Sequence, residues 1–423
     1  MNVLDVNRGF CKGCINMVVG IFTDTFYPEI SGVNTSVILL KRELEKKGHD
    51  VYVFTCSNPA LKYLPDIENT FRLPSAPFLF LPSRRFAVVY QKSLAHKISS
   101  LNLDIIHTNT EFSLGFFGKL VAASLNKPVV HTYHTLYKDY VHYLTKGYFS
   151  SFSAEMARSY SRLFCNRCST IVTPTEKTRD LLLEYEIERP IEVIPTGIDI
   201  SKFKPAPGDE EKIASIRAEL GIKPNEQIVL CVGRIAKEKS IDAIVRQMPA
   251  YFKMHRNAKM LIVGDGPYRP DIEALTGRLN IAEKVVFAGE RPWEEIGLFY
   301  KLGSVFVSAS LSETQGLTFI EAMAAGIPVL AKRDRSVESI IFDEHSGCLF
   351  DEDGEIPSLL SKMLVNQPFR ENLIKNAHRI ASQNSSELFA SRIEQLYSKT
   401  LQEWELQDRK YILSNPVIKK ILM

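Results

Sequence analysis

No run of about 18 apolar residues occurs in the 423-residue chain, so the sequence holds no candidate transmembrane helix. Residues 1–16 lack the apolar core of a secretory signal, which leads us to expect a cytosolic protein with a leader of its own before Met17. Charge of one sign is scarce too: the formal net charge is +3, too small to imply a nucleic-acid partner. Seven cysteines do not make a disulfide scaffold. Two C-x-x-C pairs, Cys11/Cys14 and Cys165/Cys168, admit a zinc reading, against which stand buried or idle thiols. G-x-G-x-x-G is missing after the first strand, which weakens a dinucleotide reading. What remains is an ordinary globular composition, 45% hydrophobic and 24% charged, at a length that suits two domains.

The most informative stretch runs from Ser308 to Leu330. Ser304 to Ser308 reads as a buried strand, and Leu317 to Ala325 as a helix stopped by Gly326 and Pro328. The loop between them carries Glu313 and Gly316, and Glu321 lies about one turn into the helix. Free N–H groups and the positive end of the helix dipole make such a loop an anion site. Glycine at 316 permits close approach of a ligand to the backbone. Carboxylates repel phosphate but accept hydrogen bonds from hydroxyls. A ligand with both a diphosphate and many hydroxyls, a nucleotide sugar, fits the pattern. An ordinary strand-loop-helix unit with solvated glutamates fits this stretch alone equally well.

Taken in order, the chain opens with a strand (Met17 to Phe22), a loop (Thr23 to Thr35, with Gly32), a helix (Ser36 to Lys47) and a strand (Asp50 to Thr55). This is the start of a parallel α/β sheet. Leu103 to Thr108 and Pro128 to Tyr133 are further strands, ending near Glu111 and His134, where open α/β sheets place functional side chains. Ser169 to Thr175 and Ile191 to Pro195 finish the first sheet, and Phe203 to Asn225 reads as a linker. The second half repeats the pattern with strands at Gln227 to Val232, Met260 to Val263 and Val285 to Gly289. Arg234 and Lys239 follow the first of these, within reach of a diphosphate or as a surface charge pair.

Two segments of the first half combine apolar and basic residues. Phe71 to Tyr90 includes Phe78, Phe80, Arg84 and Arg85, and Lys146 to Arg167 carries Arg158 and Arg162 at helical spacing. An anionic membrane surface suits both, as does packing on their own domain. The C-terminal Arg409 to Met423 reads as a frayed helix, a partner contact or a weak anchor.

Glu313 and Glu321 with Gly233-Arg234, Lys239, Gly264-Asp265-Gly266-Pro267 and Ile194-Pro195-Thr196-Gly197-Ile198-Asp199 resemble the retaining glycosyltransferases marked by E-x7-E, family 4. The likeness runs from Met17 to about Leu396. It implies the GT-B architecture of two facing Rossmann-like domains: 17–203 for the acceptor and membrane, a 204–225 linker, 226–395 for the nucleotide sugar, and a 396–423 helix and tail that can cross back to the first domain. Arg72 to Pro77, His107 to Gly115 and His131 to Val141 resemble bacterial 1,2-diacylglycerol 3-glucosyltransferases. The resemblance implies glucose transfer from UDP-glucose to the 3-hydroxyl of diacylglycerol with retention, by a peripheral enzyme on the inner face of the cell membrane. Another lipid or polysaccharide acceptor, or a nucleotide-sugar epimerase, is the alternative.

Carried over residue by residue, the resemblance gives Arg234 and Lys239 to the diphosphate, and Gly32, Gly316, Leu317 and Thr318 to the same site through backbone. Glu321 falls to the ribose, Glu313 to the sugar hydroxyls, His134 beside sugar and acceptor, and Arg291 beside the base. It implies no obligatory cofactor or metal, and the sequence shows no Asp-x-Asp motif at the site.

Overall fold

The computed structural model describes residues 16–27, 31–59, 67–78, 81–87, 92–134 and 150–414, with side chains described for all but 78, 81–84, 92–95, 150–154 and 407–414. Cys11, Cys14, Phe80, the side chains of Phe78 and Arg84, and the last nine residues of the tail therefore lie outside the described residues.

Two parallel sheets, each covered on both faces, form two Rossmann-like halves. The first consists of β1 (Val18–Phe22), β2 (Asp50–Cys56), β3 (Thr70–Leu73), β6 (Ile105–Thr108), β7 (Val129–Thr132), β8 (Thr170–Thr173) and β9 (Ile191–Val193), in the order β3-β2-β1-β6-β7-β8-β9. The second orders β10 (Gln227–Val232), β11 (Ala258–Val263), β12 (Val285–Gly289), β13 (Val305–Ser308), β14 (Val329–Lys332) and β15 (Cys348–Phe350) as β12-β11-β10-β13-β14-β15. Strand direction is legible in the sequence because buried parallel strands read as continuous apolar runs. Within β10, Val229 and Cys231 enter the core on one face while Ile228 and Leu230 enter the core on the other.

Strand order reverses between β1 and β6 in the first sheet and between β10 and β13 in the second. Crevices open at such points beyond the carboxyl ends of the strands. The loops after β1, β6, β10 and β13 carry Gly32, Asn109, Arg234 and Glu313 respectively.

The structure differs from the sequence reading in three places. The helix after β1 spans Gly32–Lys46, beginning four residues before the expected Ser36, because Ser31 caps it by accepting from Asn34 N at 3.2 Å. Phe71 to Tyr90, an apolar-basic segment in which three prolines argue against strands, contains an antiparallel hairpin of β4 (Ser75–Phe78) and β5 (Leu81–Ala87). The stretch read as linker contains the helix Asp209–Glu219, whose Ile213, Ile216 and neighbouring Leu220 pack on the second core. Three acidic residues in its first turn favour the helix electrostatically.

The C-terminal helix Ser386–Ser414 returns to the first half, packing Phe389, Ile393 and Tyr397 against Val37, Leu40 and Leu44 of the helix Gly32–Lys46. Its Tyr397 hydroxyl lies 2.6 Å from His107 Nδ1 beneath the first sheet, and Thr132 Oγ1 holds the opposite ring nitrogen at 2.7 Å. Burial and the neighbouring His131 and His134 keep His107 neutral by lowering its pKa well below the usual imidazole value. Tyr397→Phe leaves a buried ring nitrogen without its partner. It should lower the urea midpoint of the first half, with a loss of about 1–3 kcal/mol, read by chemical denaturation.

Candidate active site

The loop between β13 and the next helix in the second half turns on Gly316. It adopts φ +77°, and a Cβ there would collide with Phe319 Cδ2 at 2.4 Å, so no side chain fits. Its left-handed backbone opens the helix Leu317–Ala324, where no side chain caps the first turn. The N–H groups of that turn are the orphans that an anion satisfies. Across from it stands the first half's equivalent: a Cβ built on Gly32 would lie 3.8 Å from Leu317 Cδ1. Two helix N-termini thus meet, one from each half.

Lys239 closes the pocket from the β10 side, with Nζ 2.6 Å from Glu313 Oε1. Arg234 is half-exposed and pairs with Glu238. Such partly solvated pairs are worth about 0–1 kcal/mol, so little energy opposes exchanging either cation's partner. The glycines of Gly264-Asp265-Gly266-Pro267 serve as support. A Cβ on Gly264 would sit 2.1 Å from Gly233 O, and one on Gly266 2.3 Å from Ile235 O. Ile235 N donates to Asp265 O at 2.9 Å, so this turn braces the backbone that presents Arg234.

Glu321 projects from the helix Leu317–Ala324 and accepts a hydrogen bond from the Tyr300 hydroxyl at 2.7 Å. Burial raises its pKa to about 7, against the opposing pulls of Tyr300 and Lys202. Lys202, which the sequence reading did not single out, stands 2.6 Å from the centroid of the Trp293 ring, and its own pKa is lowered by burial to about 8. The signal for it was weak, a lysine one residue before the expected linker. Arg291 is held as a structural brace. Its Nε donates to Ala288 O at 2.9 Å and its Nη2 to Glu219 at 2.6 Å, so the guanidinium is committed to the turn that carries it and to the helix Asp209–Glu219.

His134 lies at the end of the first sheet, Nε2 2.9 Å from Asn109 Oδ1. Burial, then the adjacent His131, lowers its pKa to about 3, so the ring is neutral near pH 7 and can both donate and accept a hydrogen bond. Its neighbour Glu111 is buried and paired with His131 at 3.2 Å. Asp24, missed in the sequence, caps the helix Ser113–Leu125 from a distance, accepting from Leu114 N at 3.1 Å and from Ser113.

Of the basic residues expected to face a membrane, Arg85, Arg158 and Arg162 have described side chains, and each has partners within the chain. Arg85 turns inward, donating to Ser57 O at 2.8 Å and to Ser75 Oγ and O at 2.7 Å. Arg158 and Arg162 both pair with Glu186. Cys165 and Cys168 are buried thiols, and burial pushes Cys168 up to about 11. Among the described residues no group of three metal-ligating side chains occurs.

Glu321 generates a pH dependence. The folded protein holds its proton up to about pH 7, whereas an unfolded glutamate releases it near the ordinary range. Folding therefore binds a proton in that window, and stability falls as pH rises through it. Glu321→Gln should stabilise the fold by about 2–4 kcal/mol at pH 8, by roughly half of that at pH 5.5 and little at pH 4, as read by calorimetry.

The model for Glycosyltransferase Family 4 matches residues 30–202, and that for Glycosyl transferases group 1 matches 212–380. The alpha-monoglucosyldiacylglycerol synthase of Streptococcus pneumoniae is 37% identical over 90% of this chain and 85% of its own. The synthase of that name from Acholeplasma laidlawii is 33% identical over 90% and 96%. Among solved structures, the sucrose-phosphate synthase of Thermosynechococcus elongatus superposes with a TM-score of 0.71 at 22% identity, over 92% of this chain and 100% of that one. HepE of Anabaena, crystallised with UDP-glucose, gives 0.69 at 19%, over 91% and 99%. The chain therefore belongs to the GT-B glycosyltransferases of family 4, and it is an enzyme of that class.

Proposed function

We propose that the enzyme transfers glucose from UDP-glucose to the 3-hydroxyl of 1,2-diacylglycerol with retention, giving monoglucosyl-diacylglycerol. The observation that carries this reading is identity of 37% and 33%, over nine tenths of the chain, with two alpha-monoglucosyldiacylglycerol synthases. The pocket suits such a donor. The backbone N–H groups of Leu317 and Thr318, the turn at Gly32, Lys239 and Arg234 would hold the diphosphate. Glu321 would accept from the ribose hydroxyls, Glu313 from those of the sugar, and the backbone around Arg291 would flank the base.

In the reaction the acceptor oxygen bonds to the anomeric carbon on the face from which UDP departs. The carbon–phosphate oxygen bond breaks, its electron pair leaves with UDP, and the hydroxyl proton passes to the departing phosphate oxygen. Lys239 and Arg234 stabilise the charge that develops there. Neutral His134 offers a hydrogen-bonding ring beside the sugar. Glu313 acts as a hydroxyl ligand and not as the nucleophile of two-carboxylate glycosidases.

Access to a lipid acceptor fits an exposed apolar stripe beside the first crevice. Phe112, Phe116 and Leu120 follow one face of the helix Ser113–Leu125, and exposed Met156 and Leu163 lie on the helix Ser150–Cys165. Phe116 touches Tyr160 and Phe164 edge-on, so the two helices present one surface. Among the described residues no helix is long and apolar enough to cross a membrane, which suits contact with one leaflet at the inner face of the cell membrane.

Purified enzyme, diacylglycerol liposomes and UDP-glucose form the decisive assay, with the anomeric configuration read by NMR. An α-linked glucolipid is expected; absence of transfer to that lipid refutes the reading, and donor turnover without acceptor would reveal an epimerase. Glu313→Ala should reduce transfer about 1,000-fold or more, while Glu313→Gln retains a measurable fraction. A covalent glycosyl adduct trapped on Glu313 would refute the ligand role. Leu120→Asp with Phe116→Asp should abolish co-sedimentation with anionic liposomes and leave UDP binding within about twofold.

A further inference from the structure

Between Glu313 and Glu321 the chain makes bonds that run to the opposite half of the molecule. Gln315 is only 5% exposed. Its Oε1 accepts from Thr196 N at 2.8 Å and its Nε2 donates to Thr196 O at 2.8 Å, closing a two-bond ring across 119 positions. The pairing fixes the amide orientation, since the reverse assignment would oppose donor to donor and acceptor to acceptor. One residue earlier, Thr314 O accepts from Thr175 Oγ1 at 2.9 Å. That threonine also caps the helix Glu176–Glu184. Thr314 and Gln315, flanked by Glu313 and Gly316, are thus tied to backbone and cap positions of the first half.

Thr196 is itself immobilised. The next residue, Gly197, packs so closely on Ser385 that a Cβ would fall 2.4 Å from its carbonyl oxygen. Ile198 N donates to Asn384 O and Ser386 N to Ile198 O, each at 2.9 Å. The outgoing chain at 196–199 and the returning chain at 384–386 therefore run side by side, and these are the two places where the polypeptide passes between the halves. Gln315 is bonded at their origin.

We propose that Gln315 is a positioning residue that couples the sugar loop to this double crossover, so that Glu313 reaches its working position only with the two halves seated against each other. An apolar side chain of the same size would fill the space without transmitting a position. The amide fixes the loop in two directions, because one bond is donated and the other accepted. The ion pairs Lys177–Asp334 at 3.0 Å and Arg335–Asp180 span the same junction, but they join side chains near the surface. The buried Gln315–Thr196 pair, next to the Thr175–Thr314 bond, instead reaches the stretch between Glu313 and Gly316 itself. This inference rests on the donor roles proposed above for Glu313 and Gly316.

Gln315→Ala and Gln315→Glu test it, with Tm and UDP affinity measured first to establish folding. Gln315→Ala should lower kcat about 10- to 100-fold and leave the donor KM and UDP affinity within about threefold, because the sugar and not the nucleotide loses its alignment. The carboxylate of Gln315→Glu can accept from Thr196 N but repels Thr196 O, whereas its protonated form regains a donor. Its kcat relative to wild type should therefore climb as pH falls from 8 to 6, while the alanine variant's ratio stays flat. Hydrogen exchange at the Thr196 amide should accelerate in Gln315→Ala, a readout that does not depend on which sugar or acceptor is used. A kcat within twofold of wild type for Gln315→Ala, or a Gln315→Glu ratio independent of pH, overturns the proposal. Absence of glucosyl transfer by the wild type would instead overturn the functional reading, and the exchange measurement would still report on the coupling.

Discussion

All strands within each main sheet run parallel, and that single constraint decides where the chemistry lies. Parallel neighbours need crossovers, the crossovers put helices on both faces, and every strand then delivers its following loop to the same edge. Where strand order reverses, loops diverge and leave a crevice. The two sheets bring those crevices to face each other, which is why the helix starting at Gly32 meets the helix starting at Leu317. Neither N-terminus has to be long or unusual. Two sets of orphan N–H groups opposed across a gap suffice for a ligand with a divalent anionic centre.

Electrostatics in the gap are arranged for exchange. Lys239 and Arg234 are already paired with Glu313 and Glu238, so neither cation is left to collapse onto an unrelated anion. In the proposed donor complex a diphosphate would offer each cation a stronger acceptor and would free Glu313 for hydroxyls. Glu321 is held differently, beneath Tyr300, where burial keeps its proton until about pH 7. It costs stability in its charged form, a cost that is reasonable only where the charged form has a use. On the facing half, burial holds His107 and His134 neutral, which leaves both rings to hydrogen bonding.

Strand positions were legible because a strand buried on both faces has little freedom in composition: Gln227 to Val232 and Val285 to Gly289 coincide with β10 and β12. The loop geometry after β13 was legible from Gly316, whose neighbour Phe319 excludes a Cβ. The hairpin β4–β5 was not, because Pro74, Pro77 and Pro82 argue against strands, yet a two-stranded edge ribbon tolerates missing donors. Commitments of long side chains were also hidden. Nothing local shows that Arg85 folds back on Ser75, that Arg291 reaches Glu219, or that Arg158 and Arg162 share Glu186, since each partner is set by the tertiary fold. Gln315 was invisible for a related reason. Its partner is a backbone amide 119 residues away, and the sequence gives a polar residue in a polar loop no distinguishing mark.

The central claim is that donor binding exchanges the Lys239–Glu313 pair for contacts with diphosphate and sugar between the two opposed helix N-termini. A crystal structure of the enzyme with UDP-glucose tests it most directly. The diphosphate is expected against the N–H groups of Leu317 and Thr318 and the turn at Gly32, with Lys239 on a phosphate oxygen and Glu313 on the glucose hydroxyls. A donor bound with Lys239 still paired to Glu313, or with its diphosphate away from both helix starts, would contradict it.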